Sequence, residues 1–86
     1  MHLEVLTPQK TAVTADVDEV TVPGLAGEFG VLPGHTPFLS ALKAGTLTWR
    51  KGGEKSSLTV GAGYAEVSGP TRGDKIVVLV QEAKKV

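Results

Sequence analysis

The sequence contains no cysteine, so neither disulfide bonds nor thiolate chemistry can contribute to its stability or function. It also has no excess of charge of either sign, because nine basic side chains balance nine acidic ones. A nucleic-acid-binding surface needs a cationic excess, and so does electrostatic docking on anionic lipid. No apolar run approaches the roughly 20 residues of a membrane-spanning helix. We therefore expect no nucleic-acid partner and no direct contact with lipid.

The amino terminus, Met1-His2-Leu3-Glu4, lacks the cationic start and the apolar stretch of a signal peptide. The 86 residues are enough for one domain. A domain of this size buries roughly 60–65% of the surface that its extended chain exposes, so its core is feasible but thin. We expect a single soluble domain of the cytoplasmic type over residues 1–86.

Glycine and proline are abundant instead, with 11 and 5 residues respectively. Many short strands joined by tight turns use that composition. Apolar and polar residues alternate with a period of two in several segments, such as residues 45–51, and no segment sustains a period of 3.6. The glycine pair Gly52-Gly53 lies between two alternating segments, which predicts a hairpin. The sequence therefore predicts an all-β fold, a sandwich or a barrel of eight or nine strands.

The apolar positions of residues 11–22 change parity part-way along the segment. Val13 and Val17 share one parity, whereas Val20 and Val22 share the other. A single strand changes parity only by inserting an extra residue, so we expect a β-bulge near Asp18. The alternative is two separate strands with a turn at that point.

Two segments are apolar on both parities, namely residues 76–80 and, apart from Ser40, residues 38–42. A sandwich strand normally has one apolar face and one solvated face. Large exposed apolar patches usually mark interfaces, so a partner is expected to cover the outer face of these strands. The alternative is a core on both sides of one central strand.

Residues that could support catalysis or metal binding are few. The only histidines are His2 and His35, which make a weak metal site without cysteine, and neither a phosphate-loop pattern nor a nucleophile elbow occurs. His35 could serve as an acid–base group with Glu28, but a turn residue or a partner contact is the simpler interpretation. The acidic residues of segment 16–19 are expected to solvate a strand. We predict no catalytic site, no metal and no cofactor.

Residues 22–39 carry a long motif, Val-Pro-Gly-Leu-Ala-Gly-Glu-Phe-Gly-Val-Leu-Pro-Gly-His-Thr-Pro-Phe-Leu. It resembles the Gly-Glu-Leu/Phe-Gly-hydrophobic-hydrophobic-Pro-Gly-His-x-Pro-hydrophobic-Leu motif of the epsilon subunits of bacterial F-type ATP synthases. Residues 3–8, 42–45 and 61–67 resemble other segments of that family. The resemblance covers essentially the whole chain.

The resemblance implies a β-sandwich of two mostly antiparallel five-stranded sheets. It also implies a non-catalytic subunit of the central stalk, without a cofactor, in a rotary proton-translocating enzyme. Such a subunit packs on the gamma subunit and touches the polar loops of the c ring. It lies at the cytoplasmic face of the inner membrane, which it meets only through the complex. Its work is to couple the gamma subunit to the c ring during ATP synthesis.

The resemblance also suggests which residues meet each partner. The residues expected to face the c ring come from the motif and are Glu28, Gly30, Pro33, Gly34 and His35. The residues expected to meet the gamma subunit come from the doubly apolar strands and are Phe38, Leu42, Val77 and Leu79.

Other interpretations stay open at this point. Family members usually continue into a helical hairpin beyond this domain, and its absence after Val86 is expected to reflect either a truncation or a naturally short subunit. A small sandwich could instead bind a carbohydrate or another small ligand, for which it would need exposed aromatic side chains. Trp49 shares its parity with Leu47 and is expected in the core. A hydrolase built on His35 is a third and weaker alternative.

Overall fold

The computed structural model describes residues 1–85, which form ten strands and one short 3-10 helix. The strands are β1 (His2–Leu6), β2 (Thr11–Asp16), β3 (Glu19–Gly24), β4 (Gly27–Val31), β5 (Phe38–Leu42), β6 (Gly45–Lys51), β7 (Glu54–Val60), β8 (Gly63–Val67), β9 (Lys75–Val80) and β10 (Ala83–Lys85). The 3-10 helix, Pro70–Arg72, precedes β9. Over these residues no helix has the length and the apolar character needed to cross a lipid bilayer.

The strands form two five-stranded sheets. The first sheet has the order β10-β7-β6-β3-β4, and the second sheet has the order β5-β8-β9-β1-β2. One residue pair, Gly24 with Leu42, joins them into a continuous hydrogen-bonded path. Among the pairings of residues 1–85, β1 with β9 is parallel and the others are antiparallel. The predicted sandwich of two mostly antiparallel five-stranded sheets is confirmed.

The core lies between the sheets, and both contribute to it through alternate residues of their strands. Its largest fully buried side chains are Leu3, Val5, Val20, Val22, Val31, Leu47, Val60, Ile76 and Val78. Full burial of a side chain of this size contributes roughly 1.5–3 kcal/mol. The period of two therefore accounts for the architecture, because each strand has to present one apolar face to the other sheet.

The segment of residues 11–22 forms two strands, so the expected bulge near Asp18 is wrong and the two-strand alternative is correct. Strand β2 belongs to the second sheet and β3 to the first. The chain crosses between them at Val17, which is buried, and at Asp18, whose backbone N–H donates to the carbonyl of Arg50 at 2.7 Å. The parity of the apolar residues changes because the chain changes sheets. The β1–β2 pairing contains a bulge elsewhere, between Val5 and Leu6.

The Gly52-Gly53 hairpin between β6 and β7 is confirmed. Lys51 pairs with Glu54 across a two-residue turn. Gly52, at the first central position, has a φ of 59°, the left-handed conformation that a primed turn requires. Its N–H also donates to the carboxylate of Asp18 at 2.6 Å, which attaches the hairpin to the crossing between the sheets.

Candidate partner-binding surfaces

The Pro33-Gly34 pair shapes the loop between β4 and β5. The backbone N–H of His35 donates to the carbonyl of Leu32 at 3.1 Å, which closes a four-residue turn. Proline occupies its second position, and glycine, with a φ of 84°, occupies its third. That arrangement is a type II turn, in which the third residue needs a positive φ. Pro33 and Gly34 are both exposed, and they also set the position of His35.

Asp74 attaches this turn to the second sheet. Its Oδ1 accepts a hydrogen bond from the N–H of Gly34 at 2.9 Å. Its Oδ2 lies 3.9 Å from the amino group of Met1. Asp74 itself has a φ of 48°, a conformation that aspartate tolerates better than most residues. The sequence does not reveal this residue, because an acceptor for a backbone N–H 40 positions away leaves no local pattern.

His35 is held by its own loop rather than by an acidic partner. Its Nδ1 lies 2.7 Å from the carbonyl oxygen of Thr36, so Nδ1–H donates there and Nε2 carries no proton in the neutral ring. The ring packs on Phe38 at a centroid distance of 4.8 Å, and Phe38 packs on Phe29 at 5.3 Å. Within residues 1–85 neither a hydrogen bond nor an ion pair joins Glu28 to His35. The arrangement positions an imidazole at the surface and does not assemble an acid–base pair.

Glu28 and Gly30 lie on the outer face of the first sheet. In the β3–β4 register they stand opposite Pro23 and Thr21, and both are exposed. Glu28 borders a shallow groove of about 260 Å³ that is polar and contains both signs of charge, with Glu19, Thr21, Arg50 and Lys55 among its lining residues. Arg50 Nε lies 3.5 Å from Glu19 Oε1, so part of that charge is compensated within the groove.

Part of the outer face of the second sheet is apolar. The β5–β8 and β8–β9 registers bring Ala41, Tyr64 and Leu79 into one row across three strands, and the β1–β9 register extends the row to Leu6. We call this surface the apolar face and define it by Leu6, Leu39, Ala41, Tyr64, Val77 and Leu79. Leu39, Tyr64 and Leu79 are 68%, 56% and 50% exposed. Exposed apolar side chains clustered in this way usually mark an interface.

Of the four residues expected to meet gamma, two lie on the apolar face and two do not. Val77 and Leu79 point outward, and the core lies on the other side of β9, so the alternative of a two-sided core is wrong. Leu42 is 3% exposed and belongs to the core, which leaves it no surface for a partner. Phe38 stands opposite Val67, a core residue, and packs inward.

Four residues of the apolar face are missing from the sequence-based prediction, and the most exposed of them are Leu39 and Tyr64. Strand β5 is apolar on both parities, so its pattern could not indicate which parity faces the core. The pairing with β8 decides it, because Phe38 aligns with buried Val67. Tyr64 lies in a segment that alternates clearly. Its parity is opposite to that of buried Ala65, and this alternation is the signal that could have identified Tyr64 as outward-facing.

Polar groups close the end of the second sheet beside the apolar face. His2 lies 3.1 Å from both Asp16 Oδ1 and Thr14 Oγ1, and Glu4 Oε1 lies 3.2 Å from the ammonium of Lys75. The hydrogen bond from His2 lowers the pKa of Asp16 below its ordinary value. Within residues 1–85 no three acidic or histidine side chains are arranged to hold a metal ion.

Comparison with known proteins decides the family. The chain matches the family described as "ATP synthase, Delta/Epsilon chain, beta-sandwich domain" over residues 1–86. The chain belongs to this family. It is 48% identical over 85 residues to the ATP synthase epsilon chain of Geotalea daltonii and 46% identical to that of Geobacter metallireducens. Each alignment covers 99% of this chain and 59% of the relative, so the chain spans little more than half the length of these curated relatives.

Two solved structures with the same fold are of mitochondrial ATP synthases. A chain of the Euglena gracilis mitochondrial ATP synthase, in a structure of OSCP, F1 and the c-ring, superposes with a TM-score of 0.86 at 25% identity, covering 96% of this chain and 51% of that chain. A chain from the central stalk and c-ring of the Tetrahymena thermophila enzyme superposes with a TM-score of 0.80 at 14% identity, covering 98% and 65%. The second likeness concerns the fold. Both surfaces described above therefore lie on a β-sandwich of the delta/epsilon family.

Proposed function

We propose that this domain is a non-catalytic part of the central stalk of a rotary proton-translocating ATP synthase, which couples the gamma subunit to the c ring during ATP synthesis. The observation that carries the proposal is the apolar face of the second sheet. Membership of the delta/epsilon family and the likeness to a chain solved with F1 and the c-ring support it. The domain then lies at the cytoplasmic face of the inner membrane and meets the membrane only through the complex.

The gamma subunit is the partner that fits the apolar face. Four adjacent strands place the row of Leu6, Ala41, Tyr64 and Leu79 across about 14 Å, at the usual strand spacing. Buried aromatic anchors near the centre of an interface contribute most of the binding energy. Tyr64 is the aromatic residue of this face and its expected anchor.

The charges within and beside the apolar face describe the partner further. Glu66 stands between Leu39 and Val77 in the register, and it is exposed. Among the described residues it has no basic partner, whereas Glu4 on the same face pairs with Lys75. We expect the gamma surface to be apolar at its centre with a basic side chain placed to meet Glu66.

The c ring is the partner proposed for the turn and for the exposed part of β4, namely Glu28, Gly30, Pro33, Gly34 and His35. These residues are exposed or half-buried and polar or small, which suits contact with polar loops. The type II turn and its hydrogen bond to Asp74 hold the backbone in one conformation, so little conformational entropy is lost on contact.

Binding of purified gamma subunit to single variants tests the gamma assignment. We expect Tyr64→Ala and Leu79→Ser to weaken binding by about 30-fold each, which is the effect of an interface anchor. The matched control is Leu32→Ser, which changes a leucine that is 54% exposed but lies in the loop between β4 and β5, outside the apolar face. Equal affinity of gamma for Leu79→Ser, Leu32→Ser and the unchanged domain would reject the apolar face as the gamma contact.

A further inference from the structure

The two sheets leave a cleft open along one edge of the sandwich. Strand β2 of the second sheet lies on one side, and β6, β7 and β10 of the first sheet lie on the other. The cleft has a volume of about 430 Å³. Sites for small organic ligands commonly measure about 300–1,000 Å³. It shares no lining residue with the apolar face and none with the turn at Pro33.

The floor of the cleft is apolar and aromatic. Val13, Trp49 and Ala83 line it, and all three are partly buried against the core. Trp49 is the single tryptophan of the sequence, and it stands opposite Val20 on the inner face of the first sheet. Trp49 therefore faces the core, as expected. Its ring, however, lies at the opening between the sheets rather than in the centre of the core.

The rim of the cleft is cationic. Lys10 and Lys85 line it, and no aspartate or glutamate does. Lys85 stands opposite the core residue Leu58 in the β7–β10 register, so its side chain extends on the inner side of the sheet. Neither lysine forms an ion pair with an acidic side chain of residues 1–85. The hydroxyl of Ser56, which stands opposite Trp49, adds a polar group to the rim.

The cationic lining of the cleft is informative when it is compared with the lining of the groove near Glu28. That groove, which Trp49 also lines, contains Arg50 and Lys55 together with Glu19 and Glu28, so its charges compensate each other. The cleft at Trp49 has two cations above an aromatic floor and no acidic residue among its lining. Inward-pointing charges also protect edge strands against pairing with other chains, and this is the structural role that binding has to be distinguished from.

We propose that the cleft at Trp49 binds a small organic anion that carries an aromatic ring. The ring lies against the indole of Trp49, and the acidic group meets the ammonium groups of Lys10 and Lys85 and the hydroxyl of Ser56. Stacking on an aromatic side chain and charge-assisted hydrogen bonds supply complementary parts of the recognition. This inference does not depend on the proposed coupling role, because the residues of the two surfaces are different.

Nitrogen–proton correlation spectra test the proposal directly. The single tryptophan gives one indole signal, which needs no assignment by mutation. We expect 2-naphthalenesulfonate to shift this signal saturably, and the neutral naphthalene-2-sulfonamide to bind about tenfold more weakly, because it lacks the charge. Raising the salt concentration should weaken binding of the sulfonate and leave the sulfonamide unaffected.

Paired lysine variants complete the test. Lys10→Gln with Lys85→Gln should weaken sulfonate binding about tenfold, whereas Lys51→Gln with Lys55→Gln, which removes two cations outside the cleft, should not. The proposal is overturned if the sulfonate gives no saturable shift, if both probes bind equally, or if the first pair retains full affinity. The lysines then serve only to protect the edge. The comparison of the two probes on the unchanged protein can still overturn the proposal if a variant fails to fold.

Discussion

The two sheets are alike on their inner faces and different on their outer faces. Both present valine and leucine to the shared core. Outside, the first sheet carries polar and charged residues such as Thr21, Thr48 and Arg50, whereas the second carries the apolar face. Folding requires the inner pattern of both sheets, but it does not require the apolar outer pattern of one. The difference is the one that a partner contact on the second sheet would produce.

The largest expected effect separates the inner and outer faces of strand β9. Ile76→Ala removes a fully buried side chain and should lower the free energy of unfolding by about 2–5 kcal/mol. Leu79→Ala, on the half-exposed outer face of the same strand, should cost less than about 1 kcal/mol. Urea denaturation measures both. Equal losses would mean that the outer side of β9 contributes to folding as the core does, and the distinction between the faces would fail.

The next effect concerns the connection between the sheets. Asp74→Ala removes the charged acceptor for the Gly34 N–H and places a less tolerant residue at a φ of 48°. We expect a loss of about 1.5–3 kcal/mol in the free energy of unfolding, the usual contribution of a hydrogen bond to a charged group. Asp74→Asn should recover part of it, because an amide oxygen can still accept. If both variants unfold like the unchanged protein, Asp74 does not hold the turn.

Much of this architecture could be predicted from the sequence, and the exceptions share one cause. Alternation within a strand identified most inner residues, such as Leu47 and Leu58, because a period of two has one buried parity. It failed for β5, where both parities are apolar and only the pairing with β8 identifies Leu39 as the outward residue. It also failed at Asp18, because a change of sheet and a bulge produce the same parity shift. In both cases the deciding information was the identity of the neighbouring strand.

The candidate sites also divide into features that local sequence predicts and features that depend on distant residues. The motif could be found from residue order, and Pro33-Gly34 could be predicted as a turn from its residue types. The hydrogen bond from Gly34 to Asp74 could not, because it joins distant positions. The cleft at Trp49 could not either, since it is formed by strands of both sheets that are separated in the chain.

A smaller effect on folding, with a larger effect on function, is expected at the proposed c-ring contact. Glu28→Ala with His35→Ala changes exposed or half-buried side chains, so the free energy of unfolding should change by no more than about 0.5 kcal/mol per site. Proton pumping by the reconstituted enzyme should fall relative to its ATP hydrolysis. Glu54→Ala, in the β6–β7 hairpin, is the matched control. Unchanged pumping in the double variant would remove these two residues from the coupling contact.

The smallest expected effect is the pH dependence at the polar end of the second sheet. The hydrogen bond from His2 lowers the pKa of Asp16 in the folded protein, so the unfolded state binds its proton more readily. The resulting stabilisation is present above the ordinary pKa of an aspartate and is lost as the pH falls through the lower, folded-state value. The Asp16 side chain is 78% exposed, so screening keeps the effect small. In a plot of the urea midpoint against pH, Asp16→Asn should reduce the slope on the acid side. Asp18→Asn leaves the His2 contact intact and should therefore keep that slope. An acid-side slope that is unaltered in Asp16→Asn would show that the contact with His2 does not persist in solution. The polar residues at that end of the apolar face would then be mobile rather than ordered.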